Sequence, residues 1–306
     1  VLQVEAVQKW YPGATQPALD GVSFSVAAGS ICCVIGRNGA GKSTLMSSIV
    51  GLTPLNAGRV TLDGASLPDS LPLRRRVGFA AQSEALYPLL SGRENLQTFG
   101  RLAGVQHDPL AERIAELSGR LGITDLLDRP VRELSGGERR RVHVAAALVG
   151  GADVIMLDEP TAGVDPVTRT NVLSLVRSLA AEGAMVLYST HYLHEVEQLD
   201  GQVVMIEQGR EVASGNVAAL VGTHASATVE LGFSGEVDLA PLPWPHDWVD
   251  GRLVLEVQNP TEDLPTILQH LGSATIHLCS LEVVEPTLDR VFFSLTGREL
   301  PAGETV

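Results

Sequence analysis

Short apolar runs, separated by turns marked with glycine and proline, organise the first part of the chain. Residues 30–35 (SICCVI), 154–157 (VIML) and 185–189 (MVLYS) are nearly unbroken apolar stretches, as expected of parallel strands covered on both faces. Residues 2–7, 22–26, 58–62 and 77–81 read as further strands, and 202–206 with 210–213 as a hairpin about Gly209. Helical patterns cover 43–50, 93–103, 110–122, 138–149 and 166–181. The stretch from about 86 to 150 is mostly helical and reads as an insertion. Near residue 222 the composition shifts. Beyond it, strands are expected at 225–233 and 253–257 and helices at 264–271 and 288–295, with a Pro/Trp stretch at 241–248. Two domains follow from this pattern, residues 1–222 and 223–306: the first α/β, the second a small α+β appendage.

Gly36, Arg37, Asn38, Gly39, Ala40, Gly41, Lys42, Ser43 and Thr44 form a glycine loop between the predicted strand 30–35 and the predicted helix 43–50. Strand, glycine loop, helix is the context that a phosphate-binding loop requires. The glycines let the backbone curl so that several N–H groups point inward, and the helix N-terminus adds its positive end to the nest. Lys42 is placed to reach β- and γ-phosphates, and the Ser43 hydroxyl to bind Mg²⁺. The strand 77–81 ends at Gln82, whose amide can approach Mg²⁺ or an attacking water; a glutamine there otherwise just solvates a strand end. The strand 154–157 ends in Asp158 and Glu159. Two carboxylates at the end of a buried strand are costly unless they meet a cation or do chemistry. Asp158 suits Mg²⁺, directly or through water. Glu159 points the other way and suits polarisation of a water for in-line attack. His191, just past the strand 185–189, can hydrogen-bond a γ-phosphate, although a lone histidine is as often structural.

Three further features are weaker by themselves. Tyr11 lies in a Trp-Tyr-Pro-Gly turn, where its ring can stack on an adenine or cover a sheet edge. Ser135 can cap the helix that begins near Glu138, and Ser135, Gly136 and Gly137 leave N–H groups free at a positive helix end, a second anion site or an ordinary cap. Asp165 follows in a turn before the helix 166–181. The arginines at 139–141 read as a solvated helix face.

Composition narrows the classes. With 306 residues, 44% of them hydrophobic and 19% charged, the chain is globular and long enough for a well-buried core. No run of about 20 uncharged apolar residues occurs, so no span is expected, and with no signal peptide at its start the default expectation is cytosolic. Three cysteines agree with that, and the adjacent Cys32 and Cys33 suit core packing. The net charge of −14 is uneven: residues 224–306 carry 3 Lys/Arg against 13 Asp/Glu. A nucleic-acid binder usually has the opposite sign, so no nucleic-acid partner is expected. An acidic appendage should face away from anionic lipid.

Taken in order, these pieces resemble the nucleotide-binding subunit of an ATP-binding cassette (ABC) transporter, over residues 1–222. Tyr11 matches the adenine-stacking aromatic, 36–44 the phosphate loop, Gln82 the glutamine loop and 134–138 (LSGGE) the family signature. Residues 154–159 match the second nucleotide motif with its catalytic glutamate, 162–165 the dimer-contacting aspartate loop, and His191 the switch histidine. Arg37 stands where proline is commoner, and Ala-Gly-Val precedes Asp165; neither departure removes a functional group. The resemblance implies an α/β fold, a P-loop ATPase core with an antiparallel β subdomain and a helical insertion, here followed by the α+β domain. It implies ATP and Mg²⁺, the latter held by Ser43, Gln82 and Asp158, with Glu159, His191 and Lys42 carrying hydrolysis. It also implies a head-to-tail dimer or pseudo-dimer in which Ser135, Gly136, Gly137 and Asp165 reach the ATP of the other chain, and a separate multi-span transmembrane subunit at the cytoplasmic face of the cell membrane. Residues 87–96 and 285–300 are similar to the drug- and lipid-exporting branch. An importer ATPase, or a soluble family member acting on ribosomes or DNA, is the alternative.

Overall fold

The computed structural model describes residues 1–235, 237 and 241–297. Residues 298–300 of the exporter-like ending lie outside them. The described residues form two compact units, Val1–Val217 and 218–297.

The first unit contains two sheets with a helix between them. Its elements run β1 (Leu2–Lys9), β2 (Leu19–Val26), β3 (Ile31–Ile35), α1 (Lys42–Ile49), β4 (Ala57–Leu62), β5 (Ala65–Ser66), α2 (Leu71–Arg74), β6 (Val77–Ala80), α3 (Gly92–Leu102), α4 (His107–Arg120), α5 (Gly136–Leu148), β7 (Val154–Asp158), α6 (Pro166–Ala181), β8 (Met185–Thr190), α7 (Leu193–Leu199), β9 (Gln202–Glu207) and β10 (Arg210–Asn216). The smaller sheet is antiparallel, in the order β2-β1-β4-β5. The larger has the order β10-β9-β3-β8-β7-β6. All its neighbours pair in parallel except β10 with β9. Its three central apolar strands β3, β8 and β7 are buried along their whole length, as their unbroken patterns demanded.

The helix α1 joins the layers. Leu45, Met46 and Ile49 pack in one cluster with Leu2, Val4 and Leu62 of the antiparallel sheet and Val34, Val154 and Met156 of the parallel one. Cys32 and Cys33 are both buried and unpaired. Burial of this helix fixes where its N-terminus lies, at the carboxyl edge of β3. Asp158 ends β7, and Gln82, Glu159 and His191 follow the carboxyl ends of β6, β7 and β8, so the parallel pairing brings them to the same edge. In open α/β sheets that edge is where ligands bind.

The insertion between β6 and β7 holds α3, α4 and α5. A capping box sets the start of α3, with Ser91 and Glu94 satisfying each other's backbone N–H groups. The fully buried Asn95 then ties the preceding loop down: it accepts from Tyr87 N at 2.8 Å and donates to the carbonyls of Tyr87 and Ser91 at 3.1 and 2.9 Å. Several short elements escape the sequence pattern, among them α2 and α7. Four to seven residues are too few to display a helical period.

The second unit contains most of α8 (Val217–His224), followed by β11 (Ala227–Phe233), β12 (His246–Val249), β13 (Arg252–Val257), α9 (Pro260–Leu271), β14 (Leu278–Val284) and α10 (Leu288–Thr296). Its sheet is antiparallel, β12-β13-β11-β14. Val229, Leu231, Leu253 and Leu255 make its core with Ile267 and Leu271 of α9. Two strands were not foreseen. β12 falls in the Pro/Trp stretch with all four residues exposed, and the edge strand β14 is largely exposed, so neither shows a buried face in the sequence. Backbone pairing places them, helped by Trp248 of β12 against Phe233 and by Leu278 of β14 against the core.

Leu255→Ala should lower the unfolding free energy of the second unit by about 2–5 kcal/mol, because it removes a fully buried side chain from that core. Denaturant titration followed by circular dichroism measures this; an unchanged midpoint would contradict the packing.

Candidate active site

The glycine loop curls because it must pass close to neighbouring backbone. A Cβ at position 36 would collide with the carbonyl of Ile206, and one at position 41 would lie 2.5 Å from the carbonyl of Ala18. Gly41 also has φ +113°, in the region that favours glycine. As the N-cap of α1 it supplies no side chain, which leaves the first-turn N–H groups to a ligand. A cavity of about 280 Å³ opens over the loop, lined by Ala18, Asn38, Gly39, Gly41, Lys42, Ser43, Thr44, Gln82 and Glu159. The Tyr11 hydroxyl lies 3.4 Å from Thr44 Oγ1, so the ring stands beside the loop with almost half its surface exposed.

Lys42 and Glu159 are both buried and form an ion pair, Nζ to Oε1 3.1 Å. Lys42 also donates to the carbonyls of Gly36 and Arg37, at 2.8 and 3.3 Å. Glu159 takes φ +50°, unusual for a residue with a side chain and costing roughly 1–3 kcal/mol. Its N–H donates to the Ser189 carbonyl, which holds the turn. Its carboxylate meets His191 Nδ1 at 3.3 Å and Gln82 Nε2 at 3.4 Å. The hydrogen bond from His191, and then the charge of Lys42, hold the carboxyl well below its ordinary range, at about 2. It is therefore ionised at neutral pH and is an acceptor only.

Ser43 Oγ donates to Gln82 Oε1 at 3.3 Å. Asp158 is buried and accepts a short hydrogen bond from Ser189 Oγ. Hydroxyl, amide and carboxylate oxygens are the donor chemistry that Mg²⁺ takes, so these residues fit that ion.

The arginine run needs correction. Arg140 is not a solvated residue: it is 6% exposed, and its guanidinium donates to the carbonyls of Gln82 and Glu159 at 2.7 Å each, and to Ala81 and Asp158 at 3.2 and 3.4 Å. One side chain of α5 thus clasps the backbone at the ends of β6 and β7. Three adjacent arginines look alike in a sequence; only packing of α5 against the sheet separates them. Burial lowers the pKa of the guanidinium. Its neighbour His143 is also buried, and desolvation takes its pKa down to about 4, so it is neutral.

Two other predicted groups stand apart from the cavity. Ser135 caps α5 in a full capping box with Glu138, its oxygen accepting from Glu138 N at 3.3 Å. Gly136 and Gly137 open that helix. Asp165 caps α6, accepting from Thr168 N at 2.9 Å. None of the four lines the cavity that holds Lys42.

Residues 19–162 match the family model described as ABC transporter. Along nearly their whole lengths, the chain resembles the linearmycin resistance ATP-binding protein LnrL of Bacillus subtilis (34% identity, covering 98% of this chain and 99% of the relative). It likewise resembles the daunorubicin resistance ATP-binding protein DrrA3 of Streptomyces coeruleorubidus (35%, 97% and 96%). The chain belongs to the ATP-binding subunits of ABC transporters. The Nod factor export ATP-binding protein I of Ralstonia nicotianae is a further relative (33%, 98% and 95%), which agrees with the exporter branch. Among solved structures, an ATP-binding subunit of an ABC transporter superposes with TM-score 0.67 at 28% identity, covering 72% of this chain and 91% of that one. A dimeric cassette in a post-hydrolysis state, bound to ADP and Pi, has the same fold, with TM-score 0.66 at 24% identity over 71% and 98%. The fold is thus the α/β P-loop ATPase, the chain is an ATPase, and ATP is its nucleotide.

The depressed pKa of Glu159 links stability to pH. A carboxyl lowered from 4.5 to about 2 in the folded cassette stabilises it fully above pH 4.5, and that contribution disappears as the pH falls toward 2. Its size is on the order of 3 kcal/mol. Urea unfolding at steps between those pH values should show a shallower pH slope for Glu159→Gln than for the parent; equal slopes would mean that the carboxyl is not held in this way.

Proposed function

We propose that two copies of this chain, or this chain and a close relative, pair head to tail around two ATP molecules and drive export of a drug, lipid or polysaccharide-like substrate through a separate multi-span subunit. The observation that carries the dimer is the division of the phosphate-directed groups. Lys42, Ser43, Gln82 and Glu159 line one cavity, whereas the helix start at Ser135, Gly136 and Gly137 and the Asp165 turn do not. A second chain brings the second set to the first. The export names of the relatives support the direction of transport.

In this reading Tyr11 stacks on adenine, and Gly36 to Thr44 wrap the phosphates with their N–H groups. Lys42 leaves Glu159 for the β- and γ-phosphates, and the freed carboxylate orients the attacking water and draws its proton. His191 bonds the γ-phosphate. Ser43, Gln82 and Asp158 hold Mg²⁺, which when bound neutralises charge on the phosphate oxygens. Residues 1–222 act as the nucleotide-binding domain and the acidic 223–306 as an accessory domain that regulates or stabilises the dimer. Among the described residues no helix is long and apolar enough to cross a membrane. The cassette then works at the cytoplasmic face, with Tyr87 and Leu89, exposed beside α3, as part of the surface that meets the membrane subunit.

Glu159→Gln should lower turnover by about 10²- to 10⁴-fold and leave an ATP-dependent dimer visible by size exclusion. Near-normal hydrolysis would assign the water to another residue. Detergent extraction of the tagged chain from its host should recover a multi-span protein in stoichiometric amount; recovery with ribosomes or DNA instead would replace the transport reading.

A further inference from the structure

Outside the cavity lining is a buried carboxylate that the proposed hydrolysis does not use. Glu195, on α7, has no exposed surface. Its Oε1 accepts from Thr161 Oγ1 at 2.6 Å, and its Oε2 from Thr190 Oγ1 at 2.7 Å and Tyr188 Oη at 3.0 Å. Arg169 Nε stands 3.5 Å from Oε1 and supplies the opposite charge. All three hydroxyl donors are themselves buried. A lone buried carboxylate is expensive, and this one is tolerated because three hydroxyls and a guanidinium converge on it.

The partners come from two segments that the proposed mechanism uses. Thr161 opens the turn that leads from Glu159 to Asp165. Arg169 lies in the first turns of α6, which Asp165 caps, and its N–H bonds the Asp165 carbonyl at 2.9 Å. Thr190 immediately precedes His191, and its oxygen also accepts from Tyr192 N at 3.0 Å. The Arg169 guanidinium lies over the Tyr192 ring, 5.1 Å from its centre, and that ring is 4.0 Å from the His191 ring. Thr161 Oγ1 and Tyr188 Oη are 3.2 Å apart, which closes the set.

The geometry points to Glu195 as a positioning residue that makes the Asp165 turn and the His191 strand end one mechanical unit. Through it, a change at His191 when the γ-phosphate arrives or leaves is carried within the same chain to the turn that faces a second copy. The linkage rests on the dimeric ATPase reading for its purpose. Its physical content, two segments held by one carboxylate, can be tested without nucleotide. A carboxylate suits the task because it accepts from both sides at once, whereas an alanine would leave three buried hydroxyls without their common acceptor.

Hydrogen exchange of the nucleotide-free chain separates this from a merely structural role. In Glu195→Ala, amides in 161–168 and in 190–194 should exchange at least ten-fold faster together, with the phosphate loop and β3 unchanged. Thr161→Val, which removes one donor and keeps the carboxylate, should speed 161–168 in the same direction and serves if the alanine variant does not fold. Faster exchange at 190–194 with none at 161–168 in Glu195→Ala, or no change at 161–168 in Thr161→Val, would overturn the linkage; so would a uniform rise across the sheet in Thr161→Val. In ATPase assays, kcat of Glu195→Ala should fall ten-fold or more with KM within about three-fold, and Glu195→Gln, which keeps one acceptor oxygen, should recover part of the loss. A kcat within two-fold of the parent overturns the functional role. A parent chain with no ATPase activity would refute the reading of the site, while the exchange arm would still decide the linkage.

Discussion

A lysine and a glutamate, both nearly shut off from water, face each other across 3.1 Å at the edge of a parallel sheet. Each charge is tolerated there only because the other is present and because neighbouring dipoles complete its shell. Much of the surrounding structure serves that condition. The loop from Gly36 bends so that its carbonyls receive Lys42. Glu159 accepts a left-handed backbone, and Arg140 clasps its carbonyl and that of Asp158. A site of this kind stores readiness for a polyanion, because an arriving phosphate can take over the lysine and leave the carboxylate to water.

The proposed pairing answers to the same edge. The helix starts outside the cavity, α5 capped by Ser135 and α6 by Asp165, are well formed, yet they do not line it. A helix start with two glycines is a competent phosphate contact. Two-fold pairing would use it without any further element, and it would make the closed state depend on bound nucleotide, since the ligand then binds mainly to the paired form.

The second unit has a different character. Its core is complete in itself, a four-stranded sheet with α9 against it, and its charge is strongly acidic. Among its described residues no cluster of metal-ligating side chains occurs. Its exposed strands β12 and β14 show no alternating pattern in the sequence because each pairs along its backbone without burying a full face.

The sequence by itself determined the parts that depend on local chemistry. Apolar runs announced β3, β7 and β8 because a strand buried on both faces is filled mainly by apolar side chains, and its polar residues, such as Asp158, Ser189 and Thr190, sit at the carboxyl end where partners meet them. The glycine loop, the Ser135 cap and the residues at the strand ends were legible because curl, capping and carboxylate placement each require particular side chains at a given spacing. Tertiary structure decided what depends on neighbours distant in the chain. Arg140 became a buried clasp while Arg139 and Arg141 stayed nearer the surface, since only the packing of α5 on the sheet tells three identical side chains apart. Glu195 became the centre of a buried network because β8, α6 and the turn after Glu159 converge on it from 34 residues away at the farthest. One of two glutamates in a seven-residue helix carries no sign of that, for its surroundings exist only once the chain has folded.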